Sequence, residues 1–297
     1  MQTYQRRAYS TDLTDAEWLI LEPLLPQEKP GGCHRKYPMR EIINALQYVL
    51  RGGSAWRLIP HDLPHWRTVY EYFRCWKKDG TWVRIHDHLH QEVRLHMGRD
   101  VRPSVAVIDS QSVKTTEKRG PHGYDGAKKI GGRKRHIVVD TTGLVIRAVA
   151  HAADVMDRDG ALFALEATRV VSDRLELIWA DMGYRGERLK RWIEQECKWK
   201  LEVVKRPSKW GRYPVDVEPP PMPAFTVLRH RWVVERTFAW IGRYRRMSKD
   251  YEYLIESSEA MIYLTMIRLM LKRLTRKQPY GVPSPQRLGL TGSARAF

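Results

Sequence analysis

Two apolar, β-branched stretches of this chain, SVAVIDSQSV and LELIWAD, each run into an aspartate, Asp109 and Asp181. Open α/β sheets gather their functional groups at strand ends. One aspartate in such a place is commonly a turn former, whereas two from separate strands form a candidate pair. A third carboxylate, Glu235, lies within RHRWVVERTFAWIGRYRRM. At about 100° per residue, its helix face also carries Arg231, Phe238, Ala239, Gly242 and Arg246, opposite an apolar stripe of Val233, Thr237, Trp240, Ile241 and Tyr244. The plain reading of Glu235 is an intrahelical ion pair with arginine. The chemical reading is that oxygen-only ligands suit Mg2+ or Mn2+. Two such ions about 4 Å apart activate the attacking oxygen and stabilise the leaving one in phosphodiester cleavage. Asp109, Asp181 and Glu235 are therefore the expected catalytic residues and ligands of two divalent metal ions, Mg2+ with Mn2+ as an alternative.

Carboxylates approach a phosphate backbone only where positive charge compensates. The chain supplies it: 52 Lys and Arg against 34 Asp and Glu give a formal charge of +18 in 297 residues, which favours nucleic acid as partner. The segment KTTEKRGPHGYDGAKKIGGRKR reads as a flexible glycine-rich linker able to approach DNA, with Lys114, Lys128, Lys129, Arg133 and Lys134 as phosphate contacts. It lacks the GxxxxGK[ST] pattern of a Walker loop. Tyr184 and Arg185 follow Asp181 closely enough to meet the same DNA, the ring by stacking and the guanidinium by pairing with phosphate.

Elements that position these residues can be read from periodicity. Thr14 and Glu17 begin a first helix that ends before Pro26, MREIINALQYVLRGG forms a second that stops at Gly52 and Gly53, and RTVYEYFRCWKKDG a third. The last presents Arg67, Arg74, Lys77 and Lys78 to solvent or phosphate. Three short helices with a basic final one suggest a helix-turn-helix unit; the alternative is a bundle with solvated charges. Trp56 reads as core more readily than as a DNA wedge. His86, His88 and His90 cannot share one helix face, so RIHDHLHQ reads as a solvated helix. Asp140, Asp154, Asp157 and Asp159 read as turn and cap residues.

From Pro103 the pattern changes to strands in the order βββαβαβ, with a hairpin at Thr142-Gly143. The expected organisation is a helical domain over residues 1–98, an α/β domain over 99–275 with a proline-rich insertion at about 205–225, and a flexible tail over 276–297. Cys33, Cys75 and Cys197 show no CxxC spacing and are expected as reduced thiols. With no apolar run of membrane-spanning length and no secretion-signal pattern in MQTYQRRAYS, a cytoplasmic, nucleoid-associated protein without a membrane partner is expected.

IDSQSV, GYDGAKKIGGRKRHIVVDT, WADMGYRG and RWVVERTFAWIGRYRRMSKDYE resemble the DDE transposases of bacterial insertion sequences, in the insertion sequence 5 family. LTDAEWLILEPLLP and SAWRLIPHDLPHWRTVYEYF extend the similarity over roughly residues 10 to 255. The resemblance implies an RNase H-like mixed-sheet core behind a helical DNA-binding region, with Asp109, Asp181 and Glu235 as the metal-binding triad. It also implies binding of double-stranded DNA at terminal inverted repeats and at target DNA, cleavage with strand transfer, and at least a homodimer in the active complex. In the family, the third carboxylate lies in a Tyr, Arg, Glu, Lys signature. Arg231 and Glu235 match it, while Leu228 replaces the Tyr and Gly242 the Lys. Arg243 and Arg246 are the candidate substitutes for that lysine in contacting DNA. Rival expectations are a metal-dependent nuclease without strand transfer, and a repurposed transposase acting as a DNA-binding repressor.

Overall fold

The computed structural model describes residues 6–28, 31, 34–117, 120–203 and 231–276. The proline-rich segment, Leu228 and the carboxy-terminal tail lie outside these residues, as do Cys33 and the side chain of Arg231.

Four helices come first: α1 (Asp15–Leu21), α2 (Met39–Gly52), α3 (Trp66–Lys78) and α4 (Thr81–His96). Local chemistry sets their ends. The Thr14 side chain accepts a hydrogen bond from the Glu17 N–H while Glu17 Oε2 accepts one from the Thr14 N–H at 2.9 Å, closing a capping box. Helix α2 stops at Gly53, whose φ of +73° needs no β-carbon to be relieved. Trp56 is half-buried, its ring 5.2 Å from Tyr70 and 5.3 Å from Phe73, a packing role as expected.

The fourth helix corrects the solvated reading of RIHDHLHQ. His88 is exposed, but His86 and His90, one helical turn apart, are buried, and the His86 ring meets Tyr263 edge-on at 4.9 Å. His86 meets α8 (Ile255–Leu274), about 170 residues downstream, and His90 lies 3.3 Å from Asp140 of the sheet, partners invisible to local periodicity.

The sheet comprises β1 (Val105–Lys114), β2 (Gly123–Asp125), β3 (Ile130–Asp140), β4 (Val145–Ala152), β5 (Leu177–Ala180) and β6 (Lys200–Val203). Its spatial order is β4-β3-β1-β5-β6, antiparallel across β4-β3-β1 and parallel across β1-β5-β6. The short β2 pairs with the first residues of β3. This mixed curled sheet, with α5 (Asp157–Arg169) and α6 (Glu187–Trp192) among its crossovers, is an RNase H-like core preceded by a helical region.

Alternation along β1 and β3 sends side chains to two separate cores. Val107, Ile137 and Val139 join α7 (Arg231–Gly242), α8 and the amino-terminal helices in one cluster. Ala106, Ile108 and Val138 join α5 and α6 in another. The amino-terminal helices thus pack with α7, α8 and one sheet face in one continuous core; Arg268 of α8 reaches Glu17 of α1 at 2.7 Å. Among the described residues, no helix is long and apolar enough to cross a membrane.

Candidate active site

Parallel pairing of β1 and β5 matches Val105 with Leu177, Ala106 with Ile178 and Val107 with Trp179. Continued by two residues, the register sets Asp109 beside Asp181 on the same face, at the adjacent-strand spacing of roughly 4.8 Å. Both carboxylates line one small cavity together with Val107, Trp179 and Val234. Each is oriented by the backbone that follows it: Asp109 Oδ1 accepts from the Ser110 N–H at 2.7 Å, and Asp181 Oδ1 from the Gly183 N–H at 2.8 Å. The second bond caps the single turn Met182–Tyr184.

Glu235 arrives from the other side. Helix α7 buries Val233, Val234, Thr237, Trp240 and Ile241, the stripe expected from its periodicity with Val234 added, and leaves Glu235 exposed one residue beyond the cavity-lining Val234. The tip of the β3–β4 hairpin fixes the helix: Thr237 Oγ1 donates to the Gly143 carbonyl at 2.7 Å, and Arg236 donates to that of Thr142 at 2.9 Å. Among the described residues, no three His, Cys, Asp or Glu side chains gather to hold one metal ion. The structure thus unites Asp109 and Asp181 in one cavity, and Glu235 directly follows Val234 of α7, which lines it.

Behind β1, on the face opposite Asp109, lies a group that local sequence reading assigned to a helix cap. Asp157 Oδ1 accepts from Ser110 Oγ at 2.8 Å and pairs with Lys134 Nζ at 2.9 Å. Burial works to raise its pKa, but Lys134 and Ser110 hold it below the usual carboxylate range. A β-carbon placed at Gly183 would stand 3.0 Å from Asp181 Oδ1 and 3.4 Å from Asp157 Oδ2, so Asp157 flanks the turn that carries Asp181. Its acidic type, at the first position of the helix that follows β4, was the available signal. Asp140 does serve its hairpin turn, accepting from the Thr142 and Leu144 N–H groups, and is also fully buried against Arg94 at 2.6 Å.

The expected DNA contacts divide by exposure. Arg67, Arg74, Lys78, Lys114, Lys128, Lys129, Arg185 and Arg243 are exposed, and Lys77 is half-buried with its ammonium on Ser257 Oγ at 3.0 Å. Arg74 is engaged by Glu71 one turn earlier. Lys128 lies nearest the site, its Nζ 3.4 Å from the Ser110 carbonyl.

Four expectations are corrected. Arg133 and Lys134 do not belong to a loop: β3 begins at Ile130, so they alternate into the two cores and are buried. Arg133 donates to the carbonyls of Pro121, Glu252 and Tyr253, and Lys134 to that of Val155. Arg246 is buried on Glu252 at 2.7 Å and on the Ser54 carbonyl. Tyr184, 1% exposed, is folded under α5 with His136 edge-on at 5.9 Å, so its ring cannot stack on a base. Burial, then the charges of Asp109 and Asp157, pushes its phenol well above the ordinary value.

Residues 101–270, more than half of the chain, match the family described as Transposase DDE domain, and the chain belongs to that family. Residues 13–86 match a second description, "Putative transposase of IS4/5 family". A "Putative transposase for insertion sequence element IS402" from Burkholderia cepacia is 29% identical over 142 residues, 46% of this chain and 60% of the relative. An "Insertion element IS402 uncharacterized 16.2 kDa protein" from the same organism is 30% identical over 110 residues, 34% of this chain and 72% of the relative. The chain thus spans less than two thirds of the first relative's length.

Proposed function

We propose that this protein is a DNA transposase that recognises the terminal inverted repeats of an insertion element, cleaves the phosphodiester at the element end and joins the released end to target DNA. The observation that supports it most is the placement of Asp109 and Asp181 at matching positions of adjacent parallel strands, in one cavity beneath α7.

Both steps are substitutions at phosphorus. In the first, a water oxygen bonds to phosphorus, the bond to the 3′ oxygen breaks, and that oxygen takes up a proton. In the second, the resulting 3′ hydroxyl loses its proton, bonds to a target phosphorus and displaces the target's 3′ oxygen. No electron transfer and no covalent protein intermediate are needed. Asp109 and Asp181 fit a hard divalent cation by donor type and by their shared cavity; Glu235 is the proposed third ligand, delivered by α7. Bound there, Mg2+ or Mn2+, as a pair in the full reading, supplies Lewis acidity that favours the attacking oxygen's deprotonation and stabilises the leaving oxygen. The protein's own part is to hold the carboxylates through the Ser110 and Gly183 N–H groups and to anchor α7 on the Gly143 turn. Exposed Lys128, Lys129 and Arg185 are the proposed phosphate contacts beside the site, and Arg67, Arg74, Lys77 and Lys78 those of the helical region. Joining two element ends calls for at least a homodimer.

The test is incubation of the protein with labelled DNA ending in its element's inverted repeat, with Mg2+ or EDTA, beside Asp109→Ala. Metal-dependent cleavage and joining, absent from the variant, is the expected result. Cleavage without joining makes the protein a nuclease; salt-sensitive binding without cleavage under any metal makes it a repressor.

A further inference from the structure

A cavity of about 390 Å³ lies where α2, the end of α7 and the last turns of α8 meet. Its lining includes Arg51, Arg243, Arg268, Lys272, Arg273 and Arg276, with no acidic residue among the described residues. Some of this charge has an internal explanation. Arg268 pairs with Glu17 at 2.7 Å, the Arg273 guanidinium lies over Trp240 at 4.6 Å, and cations near a helix C-terminus are favoured by its dipole. Arg51, in the last turn of α2, and Arg243, directly after α7, stand at two further helix carboxy-terminal ends. They come from other elements and are drawn together, Arg51 Nη1 donating to the Arg243 carbonyl at 2.6 Å and its guanidinium standing 5.5 Å from the Tyr244 ring.

Along α8, Arg268 and Lys272 fall one helical turn apart, the spacing at which like charges repel, and Arg276 follows just beyond the helix end. The Lys272 ammonium registers the crowding: burial first, then Arg268, and more weakly Arg51 and Arg276, depress its pKa despite Glu17. Three elements thus converge cations on a hollow that, among the described residues, is lined by no carboxylate, the arrangement expected of a site completed by an anion.

The cavity is distinct from the carboxylate pair. Trp240 and Arg243 lie at and beyond the carboxy-terminal end of α7, about 10 Å along the helix axis from Glu235 at roughly 1.5 Å per residue. That is the axial length of about three phosphates on a DNA strand.

We propose that this cavity is a sequence-independent clamp for backbone phosphates of DNA, gripping the strand a few nucleotides from the bond to be cut. The proposal rests on the DNA-binding reading above and adds to it a second contact, built jointly by the helical region and the core.

The probe is the double variant Arg51→Gln/Lys272→Gln, both exposed positions, with Lys272→Gln alone as the milder second variant. Binding of labelled repeat-bearing and scrambled duplexes is followed by anisotropy between about 50 and 200 mM salt. The expected result is a log–log salt slope shallower by about 2 for the double variant and about 1 for the single, with both duplexes weakened alike. Arg169→Gln/Lys200→Gln, which removes the same charge at exposed positions outside the cavity, is expected to leave the slope nearly unchanged. Equal slope changes in the two double variants, or none in either, while the wild type binds and cleaves, overturn the clamp and leave the transposase reading standing. Failure of the wild type to bind either duplex overturns both. If inorganic pyrophosphate or a nucleoside triphosphate raises the wild-type Tm but not the variant's while the DNA slopes coincide, the cavity serves a small phosphate compound, and the DNA assignment is wrong.

Discussion

Thr237 Oγ1 donates a 2.7 Å hydrogen bond to the carbonyl of Gly143, so the tip of one hairpin holds the helix that carries Glu235. Gly143 has a φ of +82°, and a β-carbon there would stand 3.0 Å from both Thr237 Oγ1 and the Trp240 ring. Gly143→Ala is expected to cost about 1 to 3 kcal/mol and to push α7 outward. Cleavage should fall more than DNA affinity does. Equal loss of both, or loss of neither, would show that the hairpin does not position Glu235.

Replacing Asp109 or Asp181 by Asn keeps shape and removes a hard negative ligand. Cleavage is expected to drop at least about a hundredfold, with Tm unchanged or slightly higher because two neighbouring carboxylates no longer repel. Isothermal titration with Mn2+ supplies a readout apart from turnover: heat seen with the wild type should be lost in either variant.

Asp157 and Lys134 are a partly buried pair behind β1, and removing one partner strands the other. Asp157→Asn is expected to destabilise by about 3 kcal/mol. Adding Lys134→Met should recover much of that Tm while cleavage stays depressed about tenfold. Full recovery of cleavage in the double variant would make Asp157 a structural residue alone.

Two carboxylates impose opposite pH trends. Burial opposes ionisation of Asp87, but hydrogen bonds from His86 and Arg147 bring its pKa down to about 2. The unfolded chain therefore takes up that proton first, and stability complete above about pH 4 is lost as pH falls towards 2. Burial pushes Glu259 up to about 7 despite the hydrogen bond it accepts from the Ala150 N–H. Here the folded state binds the proton more tightly, so stability is lost as pH rises from about 4.5 through 7. Glu259→Gln should stabilise by about 2 kcal/mol at pH 8 and not at pH 4.5, as read by denaturant unfolding at the two values.

Buried and exposed cations are expected to fail differently. Arg133→Met leaves three carbonyls without their donor and should lower Tm by several degrees. Lys129→Gln should leave Tm alone and reduce the salt slope of DNA binding by about 1.

What sequence alone conveyed was whatever is decided locally. The Thr14–Glu17 capping box, the stop at Gly53, the apolar stripe of α7 and the aspartate that follows β5 each depend on a few neighbouring residues, whereas Asp109, expected to end its strand, sits in the middle of β1, which pairing with β3 carries on to Lys114. Arg133, Lys134 and Tyr184 were misread because distant partners set their surroundings. Pairing with β1 and, at its start, with β2 draws β3 back to Ile130 through a stretch whose composition is that of a loop, and α5 closes over Tyr184. Charge told that Arg133 and Lys134 were basic, not that carbonyls 12 to 120 residues away would consume them. His86 and His90 follow the same rule, since the partners that receive them, Tyr263 of α8 and Asp140 of β3, are distant in sequence.

The continuous core that runs from α1 through α8 into the sheet has a geometric corollary for the DNA. A head that shares its core with the catalytic sheet cannot swing on a tether, so the protein is a gauge of fixed span. Under the proposed function, the interval between the base pairs read and the bond cut is then a property of the protein. One base pair inserted into that interval turns the scissile phosphate by about 34° around the duplex, and five carry it to the far side. Elements served by this protein should therefore tolerate base changes between repeat and cut far better than changes in length.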